Sequence, residues 1–307
     1  MESLREYVDF VSDNRRWQGF EFRDGDIVIS TPAKCGTTWA QFLVALLIFD
    51  GPDLPDQLGR ISPWVDALFT PLDEITARLE QQTHRRFMKT HTPLDGVPYD
   101  DRVTYIVVGR DPRDASVSKD HHAANMAPVL DQRLADAHGQ EVEDGAEERA
   151  LPTDRAASFR ASLGIAQSED RDDRLYEIVQ HLREAWLRRD RPNVFLLHYA
   201  DLQADLAGQL GRLAEALGIS VSPDRVHELS RHATLTAMRS RAADYAPEAD
   251  WSLWKDTTAF FRSGGSGEWR GWVDEEFHRL YAARVAELTD GDEELARWIH
   301  HGFGSLT

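Results

Sequence analysis

The apolar residues fall into two patterns along the chain. Four short segments, residues 26–31, 86–89, 103–109 and 193–199, are continuous β-branched, aromatic or long aliphatic runs without polar alternation. Such runs mark strands buried on both faces, as in a parallel sheet. Between them the spacing is helical. Residues 38–49 are apolar nearly all round, as suits a helix packed on a sheet, and residues 72–82 are amphipathic. Residues 174–189 place Leu175, Ile178, Val179, Leu182 and Trp186 on one face. Residues 202–217 do the same with Leu206, Leu210, Leu213 and Leu217. Strands alternating with helices predict an α/β fold: a single domain over residues 1–307, with a central parallel sheet, flanking helices and right-handed crossovers.

One stretch departs from this pattern. Residues 131–174 hold twelve acidic and six basic side chains and a single aromatic, Phe159. So little apolar surface predicts a partly helical, mobile acidic insertion at the surface, either inert or a lid over an acceptor site. The whole chain carries a formal charge of −18, which argues against a nucleic-acid-coating protein and against adsorption to an anionic membrane. The densest apolar run, residues 39–49, is too short to span a bilayer. With one cysteine, Cys35, no intrachain disulfide can form. The first ten residues do not read as a signal peptide, so a cytoplasmic location is expected.

The chemistry concentrates where the first strand meets the first helix. Residues 31–39 read T-P-A-K-C-G-T-T-W. A strand–loop–helix joint with a glycine and small hydroxyl side chains is a phosphate cradle, because backbone N–H groups and the positive end of the helix dipole face an anion. It is P-loop-like but lacks the triphosphatase order, in which the lysine follows the last glycine. Here Lys34 precedes Gly36. A phosphatase-type nucleophilic cysteine needs an arginine six positions later, and Gln41 stands there. Cys35 is expected as a small loop residue whose thiol pKa a helix N-terminus could lower.

Three more motifs follow. Residues 89–93 read K-T-H-T-P after the second strand, so Lys89 and His91 sit at a strand end. Histidine titrates near neutrality and can take a proton from an attacking hydroxyl. Residues 110–118 read R-D-P-R-D-A-S-V-S. Arg110 offers a planar fork for a phosphate, Ser118 a hydroxyl, and Asp111 suits a helix N-cap. Residues 262–270 read R-S-G-G-S-G-E-W-R, a glycine-rich loop able to approach a nucleotide closely.

These motifs, in this order, resemble those of sulfotransferases that use 3′-phosphoadenosine 5′-phosphosulfate (PAPS). The first is similar to T-Y-P-K-S-G-T-T-W, the second to K-T-H-L-P, the third to R-N-P-x-D-x-x-V-S and the fourth to R-K-G-x-x-G-D-W-K. The text around them looks closest to mycobacterial glycolipid sulfotransferases. The resemblance implies that Lys34, Cys35, Gly36, Thr37, Thr38 and Trp39 hold the 5′-phosphosulfate. It implies that Arg110, Ser118 and Arg262 meet the 3′-phosphate, with Ser263 in place of a lysine and Gly264 beside it. Tyr199 would contact adenine, and Ala233 and Leu235 replace two further adenine neighbours.

The implied reaction is sulfuryl transfer from PAPS to a hydroxyl or amine of a small-molecule or glycolipid acceptor, leaving the bisphosphate PAP, with no metal. Catalytic candidates are His91 as general base, Lys34 stabilising the leaving group, Lys89 as a second donor to the sulfuryl oxygens, and Ser118. A P-loop-type nucleotide or small-molecule kinase and a non-catalytic nucleotide-binding module remain alternatives. Trp64, Phe69, Tyr245, Trp251 and Trp254, on segments 62–69 and 245–254, are candidate acceptor walls; the oligomeric state is not legible. Segments 31–39, 86–92, 110–119 and 262–270, 35 residues in all, hold eight Lys/Arg and three Asp/Glu, a basic island in an acidic scaffold.

Overall fold

Strands β1 (Ile27–Ser30), β2 (Phe87–Thr90), β3 (Thr104–Gly109) and β4 (Val194–His198) form one sheet in the order β2-β1-β3-β4. All pairings are parallel: Ile27 opposite Phe87 and Thr104, and Tyr105 opposite Val194. The computed structural model describes residues 4–141, 149–165 and 173–304. Each expected strand is present, shortened at its ends where the chain turns away from the ladder.

β1 leads into α1 (Thr37–Phe49), followed by α2 (Leu58–Ile61) and α3 (Leu72–Gln81) before β2. β3 runs into α4 (Pro112–Asn125). Next come α5 (Val129–His138), α6 (Arg155–Ser162) and α7 (Arg174–Trp186), which returns the chain to β4. Beyond β4 lie α8 (Tyr199–Ala204), α9 (Leu206–Ala216), α10 (Pro223–His232), α11 (Leu235–Ser240) and α12 (Ala242–Tyr245). The glycine-rich loop then leads to α13 (Glu275–Leu288) and α14 (Glu293–His301).

Side chains alternate across the sheet, and both faces are covered. Ile27, Ile29, Ile106, Val108 and Leu197 pack with Ala40, Phe42, Leu43 and Leu46 of α1 and with α9 and α10. Val28, Met88, Tyr105, Val107 and Leu196 pack with α7, α13, α14 and Trp17. Burial on both faces is why these strands read as continuous apolar runs. Each fully buried aliphatic contributes roughly 1.5–3 kcal/mol. The sheet is therefore a rigid platform, and its carboxyl edge is where the loops carry function.

Two expectations need correction. The helix expected over 202–217 is two helices, because Asp205 is non-helical (φ −146°, ψ 77°) and its side chain accepts from the Gly208 N–H, capping α9. The acidic stretch is also more than a surface insertion. Residues 142–148 and 166–172 lie outside the described residues, and the expected mobility falls partly on them. The remainder includes α5 and α6, and Phe159 of α6 is buried against Trp269, Trp272 and Phe277.

Candidate active site

The site lies at the carboxyl edge of β1, β2 and β3. The loop from β1 to α1 turns through two left-handed residues, Lys34 (φ 68°) and Gly36 (φ 112°). Gly36 is required twice over: a Cβ there would lie 3.3 Å from Tyr199 Cδ2 and 3.5 Å from Val108 Cγ1. Gly36 is also the N-cap of α1, and no side chain caps that helix. The first-turn N–H groups, including those of Thr37, Thr38 and Trp39, thus lack a side-chain cap at the positive end of a 13-residue helix. Thr31 and Thr37 hydrogen-bond through their hydroxyls across the loop.

Cys35 does not take part as a reactive thiol. Its side chain is fully buried in the core on the Val28 and Val107 face, and burial pushes its pKa up to about 12. The expected lowering by the helix N-terminus is overridden, because the thiol points into the core while the N–H groups point out of it.

Lys34 Nζ is 2.9 Å from His122 Nδ1 and 4.9 Å above the Phe260 ring. Burial, with Arg110 and Lys89 nearby, lowers its pKa to about 7. His122, at the last turn of α4, packs on Trp254, and burial together with Lys34 holds its ring neutral. Against a neutral imidazole, the Lys34 amine is the donor of this hydrogen bond. Ser118 lies one turn before His122 on the same face of α4, and Asp114 one turn earlier still. That geometry aims Ser118 at this edge although α4 already starts at Pro112.

His91 follows β2. Its Nδ1 lies 2.7 Å from the Thr31 carbonyl, which can only accept, so Nδ1 carries the proton and Nε2 the lone pair. Burial and the Lys89 charge push its pKa down to about 3. Trp64 packs edge-to-face on it at 4.6 Å, and Lys89 Nζ stands 5.1 Å over the Trp64 ring. Lys89 itself is buried in β2, which lowers its pKa. Beneath this strand end, Asp66 accepts from Thr90 and Thr92 hydroxyls at 2.6 Å each and from the Trp17 indole at 3.1 Å. His181 Nε2 donates to Ser30 Oγ at 2.9 Å, and Ser30 donates to the Thr92 carbonyl at 2.7 Å.

Arg110, at the end of β3, ties the phosphate loop to the glycine-rich loop. It donates to the Lys34 carbonyl at 2.9 Å and the Gly265 carbonyl at 3.3 Å, and stacks 4.1 Å over Tyr199. Its Nε is buried with no partner among the described residues. Asp111 N-caps α4, as expected, and pairs with Arg113 at 2.6 Å. Asp114 anchors the glycine-rich loop, accepting from the Gly267 N–H at 2.6 Å and the Trp269 indole at 3.0 Å. Gly264 (φ 60°) sits against Leu235, and its carbonyl accepts from Gln203. Trp39 donates to the Ala233 carbonyl at 2.9 Å and meets Tyr199 edge-on.

Thus Lys34, Gly36, Thr37, Thr38, Trp39, Arg110, Tyr199 and Gly264 converge on one side of the edge, with Lys89 and His91 on the other. Arg262 is diverted: its guanidinium pairs with Glu268 at 2.8 Å, and Glu268 also binds Arg155 and His121. Ser263 is exposed and its hydroxyl accepts weakly from the Gly265 N–H. Residues 31–39 and 110–118 held the signals for the main contacts. His122 and Asp66 have no sequence signal that separates them from ordinary histidines and acids; Glu268 lies inside the 262–270 motif, which gives its position but not its ion pairs.

The fold and this edge define an α/β protein with a phosphate-cradling strand–loop–helix. A family model described as "Sulfotransferase domain" matches residues 24–296, and the chain belongs to the sulfotransferase family. It is 44% identical over 320 residues to a glycolipid sulfotransferase of Mycobacterium tuberculosis, covering 96% of this chain and 94% of the relative. It is 25% identical over 280 residues to human sulfotransferase 2B1, covering 86% and 67%. Among solved structures, a mouse sulfotransferase complexed with PAP superposes with a TM-score of 0.67 at 18% identity, covering 92% and 90%. Retinol dehydratase with retinol and PAP gives 0.66 at 22% identity, covering 92% and 88%. At those identities the solved structures establish the fold. Family membership removes the kinase alternative. Among the described residues no helix is long and apolar enough to cross a membrane.

Proposed function

We propose that the protein transfers a sulfuryl group from PAPS to a hydroxyl of a glycolipid acceptor. The observation that carries this reading is the meeting, across adjacent parallel strands, of the uncapped α1 N-terminus with the tautomer-fixed His91. The residues present fit a phosphosulfate nucleotide. An uncapped helix end, an unpartnered Arg110 Nε and a glycine held against Tyr199 make an anion cradle with a flat side for a base. When bound, PAPS supplies the electrophilic sulfur and a bisphosphate leaving group.

The first-turn N–H groups of α1 orient the phosphosulfate and hold its sulfur in line with the acceptor. Arg110 grips the 3′-phosphate with the guanidinium protons not given to the Lys34 and Gly265 carbonyls, and Tyr199 faces the base. His91 Nε2 takes the acceptor proton as the new S–O bond forms and the S–O bond to the phosphate breaks. With a pKa near 3, His91 is always neutral at working pH, and the proton moves late, once the acceptor oxygen is strongly acidified. Lys34 leaves His122 and donates to the departing bridging oxygen, where charge develops. Lys89, over the Trp64 ring, places a second positive charge near the sulfuryl oxygens. Ser118 stands where it can hydrogen-bond the 3′-phosphate or Lys34. Arg262 joins only by releasing Glu268. The acceptor enters over Trp64. Action in the cytoplasm is proposed, since a single buried thiol needs no oxidising compartment.

The support for a glycolipid acceptor is the 44% identity to the mycobacterial relative across nearly the whole chain. Incubation with ³⁵S-labelled PAPS and a lipid extract tests it: label enters a lipid band with the wild type and not with Lys34→Ala. Label found only in inorganic sulfate contradicts it.

A further inference from the structure

Among the described residues, the arginines with a buried Nε that has no hydrogen-bond partner are Arg110 and Arg155. Arg110 already has a place in the nucleotide site. Arg155 has none: it opens α6, inside the acidic stretch that carries no motif. Yet both border the glycine-rich loop. Arg110 donates to the Gly265 carbonyl at 3.3 Å, and Arg155 donates to Glu268 Oε1 at 3.1 Å. A buried guanidinium N–H without an acceptor is costly, and two of them beside one loop suit a shared anion.

Arg155 is presented from a fixed backbone. Asp154 caps α6, accepting from the Ala157 N–H at 2.9 Å. Ser162 Oγ lies 2.9 Å from Ser116 Oγ of α4, and Arg160 pairs with Asp274 at 2.8 Å. The Arg155 guanidinium itself lies 4.5 Å over the Trp272 ring.

Three donors gather on one carboxylate at this place. Glu268 Oε1 takes Arg155, with His121 Nε2 at 3.2 Å, and Oε2 takes Arg262 at 2.8 Å. His121 Nε2 is also 3.2 Å from Arg155. His121 lies one turn after Ser118 on α4, so the cluster adjoins the residues assigned to the 3′-phosphate. Two guanidinium charges against one carboxylate leave a positive excess. Glu268 is exposed, so its side chain can turn to solvent without disturbing the core. A phosphate monoester, with three terminal oxygens and nearly two charges, matches these donors better than a single carboxylate does. Ser263, where the resemblance places a lysine, brings no charge of its own.

We infer that Arg155 is a further 3′-phosphate ligand, delivered by the acidic stretch in place of the charge missing at Ser263, and that Glu268 is an internal anion which the nucleotide displaces. The inference rests on the proposed use of PAPS and adds a residue to its nucleotide site.

Calorimetric titration of the full chain with PAP and with 5′-AMP tests it, because the two differ by the 3′-phosphate alone. The wild type should prefer PAP. Arg155→Ala should weaken PAP roughly 10- to 100-fold, the loss of a charge-assisted hydrogen bond, with 5′-AMP within about twofold of the wild type. Arg155→Lys should recover part of that loss. Glu268→Gln should strengthen PAP about 2- to 5-fold, the equivalent of one exposed ion pair released, without strengthening 5′-AMP. If Arg155→Ala melts like the wild type and loses both nucleotides equally, or keeps full PAP affinity, Arg155 only docks α6 and the inference is overturned. Glu268→Gln is a surface change that keeps the fold, so weaker PAP binding there overturns the inference even if Arg155→Ala unfolds. A wild type with no preference for PAP over 5′-AMP contradicts the PAPS reading itself.

Discussion

Gly36→Ala isolates the phosphate loop. The alanine must hold φ near 112° or rebuild the loop, and an L-residue in such a region costs about 1–3 kcal/mol. Its Cβ would also press on Tyr199 at 3.3 Å, so that ring must give by a few tenths of an ångström. The ring carries Arg110 at 4.1 Å, and Arg110 in turn holds the Lys34 carbonyl. The sum is about 2–4 kcal/mol, or a Tm fall of roughly 4–8 °C at about 2 °C per kcal/mol for a chain of this size. PAP affinity should fall roughly 10- to 100-fold, because the α1 N–H groups and Arg110 move together. Thermal melts with and without PAP, plus calorimetric titration, measure both. A variant with wild-type Tm and wild-type PAP affinity would refute the claim that this left-handed glycine sets the cradle.

Further outcomes follow from the same edge. Arg110→Ala should weaken PAP far more than 5′-AMP in paired titrations, since the lost fork faces the extra phosphate; equal weakening contradicts its assignment. With Lys34 near 7, PAP affinity should decline as pH rises from 6.5 to 8.5, because the ammonium form binds the anion, and the decline should flatten in Lys34→Ala. His91, held near 3, should show no midpoint between pH 5 and 8 by NMR; a midpoint near 6.5 would contradict its burial. The Cys35 thiol, at about 12 and fully buried, should resist iodoacetamide at pH 8 in the native protein and react on unfolding.

The strands and major helices were legible because burial on both sheet faces leaves unbroken apolar runs, and α7 and α9 keep strict helical spacing. The phosphate loop was legible because its function needs small residues in a fixed local order. What was not legible depends on contacts distant in sequence. His122 becomes a partner of Lys34 only through the packing of α4 against the β1–α1 loop, 88 residues away. Asp66 matters because Thr90, Thr92 and Trp17 all turn toward it. Cys35 read as a small loop residue; that its thiol is raised rather than lowered was hidden, because proximity to a helix end was visible and side-chain direction was not. Arg262 read as a phosphate ligand because its motif was visible, while its partner Glu268 draws it aside. Phe159, a lone aromatic among acids, gave no hint that it anchors α6 in the core.

Single-turnover transfer of ³⁵S from labelled PAPS by His91→Ala tests the central claim most directly. The account predicts at least ~100-fold slower transfer, the low end for loss of a general base, with PAP affinity within about twofold of the wild type. Transfer at the wild-type rate would contradict it, and would place the proton acceptor elsewhere on this edge.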